Sequence, residues 1–287
     1  PQVALLMQQW PPGGGSAVLY ANQWRAAHFQ ARPDFVSPAS LSDPRVRKAL
    51  AYAIDKPGID QVVYGGQFVM ADSIFPPTTD LGRAADAAVT KYPLDLRQTA
   101  QLMSDAGFTR GSDGFYASPS GGRFSAEVKT NGATDNEAEM SALASGWRQA
   151  GFEMREAVLP AIQAQDTQAR SSFPGLYIYS GNVGEGGING MSSTNVPRPE
   201  NEWRGGSYDG YSSADMDRLI NAFTTALTTA ERTNVAVEIA KLSSIDLPAI
   251  SLFFPTQPWV FTSDLTGPKL VAAESNVSWN IQQWEFH

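Results

Sequence analysis

The sequence predicts an α/β fold in which helices pack on a mixed, partly parallel sheet. Three features carry that expectation. Strand-like and helix-like segments alternate between residues 123 and 180, an order that needs crossover connections between strands. Residues 42–66 hold one apolar stripe at helical spacing. The chain has 287 residues, 42% apolar and 17% charged, enough for one large or two ordinary domains with buried cores.

In chain order, residues 1–40 hold a short apolar run, a Pro/Gly turn at 11–16 and a strand at 17–22. Asp43 is a helix N-cap and Pro44 a first-turn residue with no N–H to leave unsatisfied. Val46, Ala49, Leu50, Ala53 and Ile54 then form the stripe, while Arg45, Arg47 and Lys48 stay off it. Asp55 and Pro57 open a short second helix, and Gly65 and Gly66 stop it. Residues 67–92 read as loop. Asp95 caps a helix with Leu96, Ala100, Met103 and Ala106 inward, ended by Gly107. Asp113-Gly114 marks a tight turn. A strand at 123–130, a helix at 138–150, a strand at 152–159, a short helix at 160–170 and a strand at 176–180 follow. Residues 181–211 have no regular pattern and are too long for a simple connector. Ser213 starts a helix burying Met216, Leu219, Ile220, Phe223 and Leu227. Thr229 caps the next, with Val235, Ile239 and Leu242 inward. Strands at 250–254, 258–262 and 278–285 close the chain. Trp147, Trp259 and Trp279 lie in regular elements and are read as core.

Composition excludes several chemistries. The formal net charge is −8, which disfavours nucleic acid, because phosphate neutralisation needs clustered Lys and Arg. No cysteine is present, so disulfides, thiolate metal sites and cysteine nucleophiles are absent. With only His28 and His287, a Ser-His-Asp triad or multi-histidine metal site has almost nothing to be built from. No apolar run reaches the about 18 residues of a spanning helix. No cofactor is implied.

Open α/β sheets place ligands beyond the carboxyl ends of strands, which points to Asn131 and to the segment after Ser180. In that segment Trp203, Tyr208 and Tyr211 stand among glycines and polar residues, the composition of a pocket wall, unless they pack on a neighbouring lobe. Arg204 could pair bidentately with a ligand carboxylate; a solvated arginine is the plainer reading. Trp24 and Asn182 are candidates by position. The Gly184–Gly190 run lacks the Gly-Lys-Ser/Thr ending of a phosphate loop and reads as a flexible cleft loop. Asp215 and Asp217 read as helix-start acids rather than metal ligands. Glu185, Glu202 and Asp209 could supply paired carboxylates for hydrolysis, although acids in a polar loop are commonly just surface.

The wording D-P-R-V-R-K-A-L-x-Y-A-I-D-K at 43–56, followed by Val63-Tyr64-Gly65-Gly66, resembles the family-5 extracellular solute-binding proteins, the peptide- and nickel-binding components of ABC importers. Ala106-Gly107-Phe108, Tyr211-Ser212-Ser213 with Asp217 and Leu219, Asp246-Leu247-Pro248 with Ile250 and Leu252, and Trp279-Asn280 with Trp284 add to it in order. The resemblance implies a periplasmic-binding-protein-like, bilobed, non-enzymatic receptor of which this chain is the C-terminal part, with the N-terminal half absent. It implies residues 1–41 in the other lobe, 42–245 as the α/β lobe and 246–287 as returning strands. It further implies a peptide or other small-molecule ligand, an ABC permease as partner and an extracytoplasmic location. The alternatives are a carbohydrate-active hydrolase using the loop carboxylates and a solute sensor that feeds no transporter.

Overall fold

The computed structural model describes residues 2–10, 14–21, 23–269 and 278–287. It begins with α1 (Gln2–Gln9), β1 (Gly15–Ala21) and β2 (Gln23–Phe29). Next come α2 (Pro44–Tyr52), α3 (Lys56–Ile59), β3 (Val69–Met70), α4 (Asp80–Asp86) and α5 (Leu96–Asp105). The middle contains β4 (Thr109–Arg110), β5 (Tyr116–Ala117), β6 (Ser125–Asn131), α6 (Thr134–Ala150) and β7 (Glu153–Leu159). Then follow α7 (Thr167–Ser171), β8 (Leu176–Asn182), α8 (Gly184–Gly190), α9 (Ala214–Thr225) and α10 (Thr229–Asp246). The chain ends through β9 (Ala249–Phe254), β10 (Thr256–Thr262), β11 (Leu265–Thr266) and β12 (Glu285–Phe286).

The main sheet has the order β3-β9-β2-β8-β6-β7. Strand β6 runs parallel to β7 and β8, while β2 runs antiparallel to β8 and β9. The sheet is therefore mixed and partly parallel. The period of two along β2 sends Arg25, Ala27 and Phe29 to one face and Trp24, Ala26 and His28 to the other. On the first face Ala27 and Phe29 join the larger core with Leu50, Leu143, Trp147 and Phe152. On the second, Trp24 and Ala26 pack with Ile74, Ile188, Met216 and Ile239 from the helices beyond.

Local chemistry accounts for α2. The Asp43 side chain accepts the Arg45 N–H, Pro44 is the first helical residue, and Val46, Ala49, Leu50, Ala53 and Ile54 are all buried. Trp147 of α6 donates its indole N–H to the Leu50 carbonyl at 2.9 Å, locking α2 to α6. Gly65 ends the following turn at φ 71°, a left-handed conformation that costs glycine nothing.

Several expectations are corrected. The strand expected at 17–22 is β1, and Asn22 lies outside the described residues. A second strand, β2, follows directly; Arg25 and His28 had hidden it. Strands β2 and β9 belong to the same six-stranded sheet as β6, β7 and β8. Helix α5 buries Thr99 and Met103 while Leu96 and Ala100 are exposed, with Thr99 turned toward α2 and donating its hydroxyl to the Ala49 carbonyl at 3.2 Å. Leu227 is exposed because α9 ends at Thr225. Trp147 is core as expected. Trp259 is half-buried on the β1/β10 ribbon beside Trp284, and Trp279 is 43% exposed. In place of a closing strand at 278–285 there are a turn, a 3-10 segment Ile281–Gln283 and the short β12.

Arg25 crosses from β2 to α6 and pairs with Glu139, both buried. Burial pushes the Glu139 carboxyl up, against the pull of the guanidinium and of the neighbouring Tyr64 hydroxyl. Removing one partner of a buried pair strands the other charge in a low-dielectric site, whereas removing both does not. Glu139→Ala is expected to lower the unfolding free energy in urea titration by about 3–5 kcal/mol. An Arg25→Met/Glu139→Leu double variant should recover most of that loss; equal losses in single and double variants would contradict the assignment.

Candidate functional site

An open cavity of about 900 Å³ covers the Trp24/His28 face of β2 and β8 and runs under segment 186–211. Strand alternation supplies its floor. His28 stacks on Tyr179 with ring centroids 3.9 Å apart and planes 13° from parallel. Trp24 meets His28 edge-on at 5.3 Å, and Tyr179 meets Tyr208 edge-on at 5.4 Å. The row continues to Arg170 of α7, whose guanidinium lies 3.9 Å over the Tyr208 ring and donates Nη1–H to Tyr208 Oη at 2.7 Å. The rings are packed on one another and largely buried, so the floor is a braced aromatic surface beside polar groups, the pattern of a small-molecule site.

Asp209 is the cavity's carboxylate among the described residues, and it is already engaged. Its Oδ2 lies 2.9 Å from His28 Nδ1 and its Oδ1 accepts the Tyr211 backbone N–H at 3.0 Å. Arg32 stands behind it, donating to the carbonyls of Ser171 at 2.6 Å and Tyr208 at 3.2 Å. Burial lowers the Arg32 pKa from its usual value, partly offset by Asp209. Burial also pushes the Tyr179 phenol well up. The Tyr211 phenol is raised by burial and by its hydrogen bond to Asp246 Oδ2 at 2.6 Å. These tyrosines therefore present neutral hydroxyls at neutral pH.

Of the residues expected at a site, the fold brings Trp24, Asn182, Tyr208 and Tyr211 to this cavity. Trp203 and Arg204 are not on its lining. Trp203 sits half-buried at φ 60° in the turn after Pro199–Asn201, and Arg204 pairs with Glu202 at 2.5 Å on the exposed surface. Glu185 pairs with Arg232 at 2.6 Å. His28, Arg170 and Tyr179 were missed. The Tyr177/Tyr179 alternation was a usable signal; nothing local marks His28 or Arg170. Asn131, at the carboxyl end of β6, accepts the Tyr177 hydroxyl at 2.5 Å at the edge of the same floor. Among the described residues no cluster of three or more His, Cys, Asp or Glu side chains could hold a metal ion.

The Gly184–Gly190 run is helix α8, not a loop. Ile188 and Val183 are buried against Ile74, and Gly184 N–H donates to the Ile74 carbonyl at 3.0 Å, so packing overrides poor helix propensity. At Gly187 a Cβ would stand 2.6 Å from the Asn182 carbonyl oxygen, so only glycine lets α8 lie this close over the end of β8.

Solved structures share this fold. NikZ from Campylobacter jejuni, in complex with Ni(L-His), matches with a TM-score of 0.76 at 20% identity, over 98% of this chain and 56% of that one. The oligopeptide-binding protein of Thermus thermophilus, complexed with a pentapeptide, matches at 0.73 and 21%, over 88% and 45%. The architecture is thus that of a periplasmic-binding-protein-like lobe, and the chain spans about half the length of these structures. The model of bacterial extracellular solute-binding proteins, family 5 (middle), matches residues 5–186, and the chain belongs to that family. Its relatives include the dipeptide-binding protein of Escherichia coli, 37% identical over 76 residues, 26% of this chain and 14% of that protein. Heme-binding protein A of Haemophilus influenzae is 34% identical over 73 residues, 25% and 13% of the two chains.

Asp217 of α9 ties down one cavity wall. It accepts the Ser193 N–H at 2.9 Å, the Ser193 hydroxyl and the Ser192 hydroxyl at 3.3 Å. Burial would raise this carboxyl, but those bonds outweigh it and hold it below the usual carboxylate range. A depressed carboxylate contributes stability above the unfolded-state value and loses it as pH falls through the folded-state value. Hydrogen-exchange protection at the Ser193 amide should therefore hold from neutral pH down to about 4 and drop below that. Asp217→Asn should abolish the step; a step that persists in that variant would show another group is responsible.

Proposed function

We propose that this chain is the solute-capturing component of an ABC importer. It holds a peptide or similar small solute in the cavity, works outside the cytoplasm and delivers the solute to a membrane permease. The observation that carries this reading is the cavity itself. Its volume of about 900 Å³ falls within the range of small-molecule sites, its floor is aromatic, and small polar side chains such as Asn182, Asn189 and Ser192 surround it. Membership in family 5 and the solute-binding relatives support the same reading. Among the described residues, two carboxylates that hydrolysis could use are otherwise engaged: Asp209 faces His28, and Glu202 lies outside the cavity with Arg204.

The cavity is open on one side, and a second lobe supplied by further chain would close it. The β1/β10 ribbon is the natural junction. Strand β1 leads into β2 and β9 leads into β10, so two chain crossings run side by side where β1 and β10 pair. Solute touching both walls would favour the closed arrangement by its differential affinity for the two states.

Mass spectrometry of solute released from the complete protein, purified natively, should find a small molecule at near-unit occupancy. Trp24→Ala should lower that occupancy. Calorimetry should find residues 1–287 alone binding a tripeptide far more weakly than micromolar, a level that corresponds to about −8 kcal/mol. Micromolar binding by this chain alone would overturn the two-walled trap. Turnover of a solute, lost in Asp209→Asn while binding persists, would favour an enzyme instead.

A further inference from the structure

Within that reading, the charges of the cavity identify one feature of its solute. The ionisable side chains on the described lining, tyrosines aside, are His28, Arg170 and Asp209. Asp209 is buried, faces His28 Nδ1 and accepts the Tyr211 N–H, so it is not available to a ligand cation. Asp166, one turn before Arg170 on α7, spends its carboxylate on the Ala169 N–H at 3.1 Å. Arg170 is left with no carboxylate partner among the described residues. Its neighbours are two phenols: the Tyr208 hydroxyl, to which it donates, and the Tyr177 hydroxyl beside it, itself anchored on Asn131. Its Nε atom is out of solvent and unpaired.

A guanidinium stacked on an aromatic ring has few conformations left to lose on binding, and its planar fork matches a carboxylate or phosphoryl group. An unpaired cation in a protein of net charge −8 is the opposite of what the overall composition supplies. We propose that Arg170, held on the Tyr208 ring, anchors an anionic group of the solute, a carboxylate or a phosphoryl group. The role that sequence suggested for Arg204 thereby falls to a residue 34 positions earlier, because Arg204 is occupied by Glu202 on the outer surface. This inference rests on the cavity being the solute site.

The test uses the full chain labelled with ¹⁵N-arginine and titrated with acetate, inorganic phosphate and acetamide, the last a neutral match in shape to acetate. The Arg170 Nε–H resonance is assigned by its loss in Arg170→Gln. Tyr208→Phe, which removes only the hydroxyl that Arg170 contacts, marks the same resonance should Arg170→Gln not fold. A saturable shift with acetate or phosphate, and none with acetamide, supports the proposal, and the anion that binds more tightly names the source. Arg170→Gln, shown folded by circular dichroism, should weaken that binding at least about tenfold, the loss of a charge-assisted hydrogen bond. Equal shifts with acetamide and acetate, or no saturable shift with either anion, overturn it. A natural solute that binds Arg170→Gln as tightly as the unmodified protein overturns the anchor while leaving the cavity as the site. An empty cavity in the complete protein would instead remove the reading on which the anchor rests.

Discussion

The structure depends on one strand, β2, being clamped between β8 and β9. It contributes directly to both faces of the sheet at the point where the cavity forms. Its backbone ladder fixes the register, His28 opposite Tyr177 on one side and Ala249 on the other. Once that register is set, every second side chain is committed: Arg25 to the α6 side, Trp24 and His28 to the cavity side. A slip by one residue would exchange the core and the floor of the site.

Both buried polar residues of β2 are answered by distant partners. Arg25 finds Glu139 on α6, and His28 finds Asp209 in the segment before α9. Each pair joins the central strand to an element more than a hundred residues away in sequence. The cost of burying these groups is offset only when both ends arrive, so they favour this topology over alternatives that bury the same apolar area. On the cavity side the result is a floor whose aromatic rings brace one another, from Trp24 through His28 and Tyr179 to Tyr208.

Over that floor lies a wall that sequence describes poorly. Four glycines in α8 would argue for a loop in isolation, yet helix formation follows from burying Ile188 and from the close approach at Gly187. The Ser193–Asn195 turn beyond it is anchored on α9 through Asp217. Strands below and side-chain anchors above shape an open cavity.

By itself the sequence determined the elements whose signals are local. The Asp43-Pro44 start and apolar stripe of α2, the α6 face around Trp147, the alternation of sheet strands with helices, and the order of the family motifs were all legible, because capping and periodicity act within a few residues. The tertiary structure decided the rest. Strand β2 reads as broken until Glu139 and Asp209 supply partners for Arg25 and His28. Tyr208 and Tyr211 were legible as pocket aromatics by composition, while Trp203 and Arg204 shared that composition and lie elsewhere, because a turn at φ 60° directs the chain there. Arg170 carries no local mark at all. Its place depends on α7 packing beside Tyr208, a contact across 38 residues that no periodicity encodes.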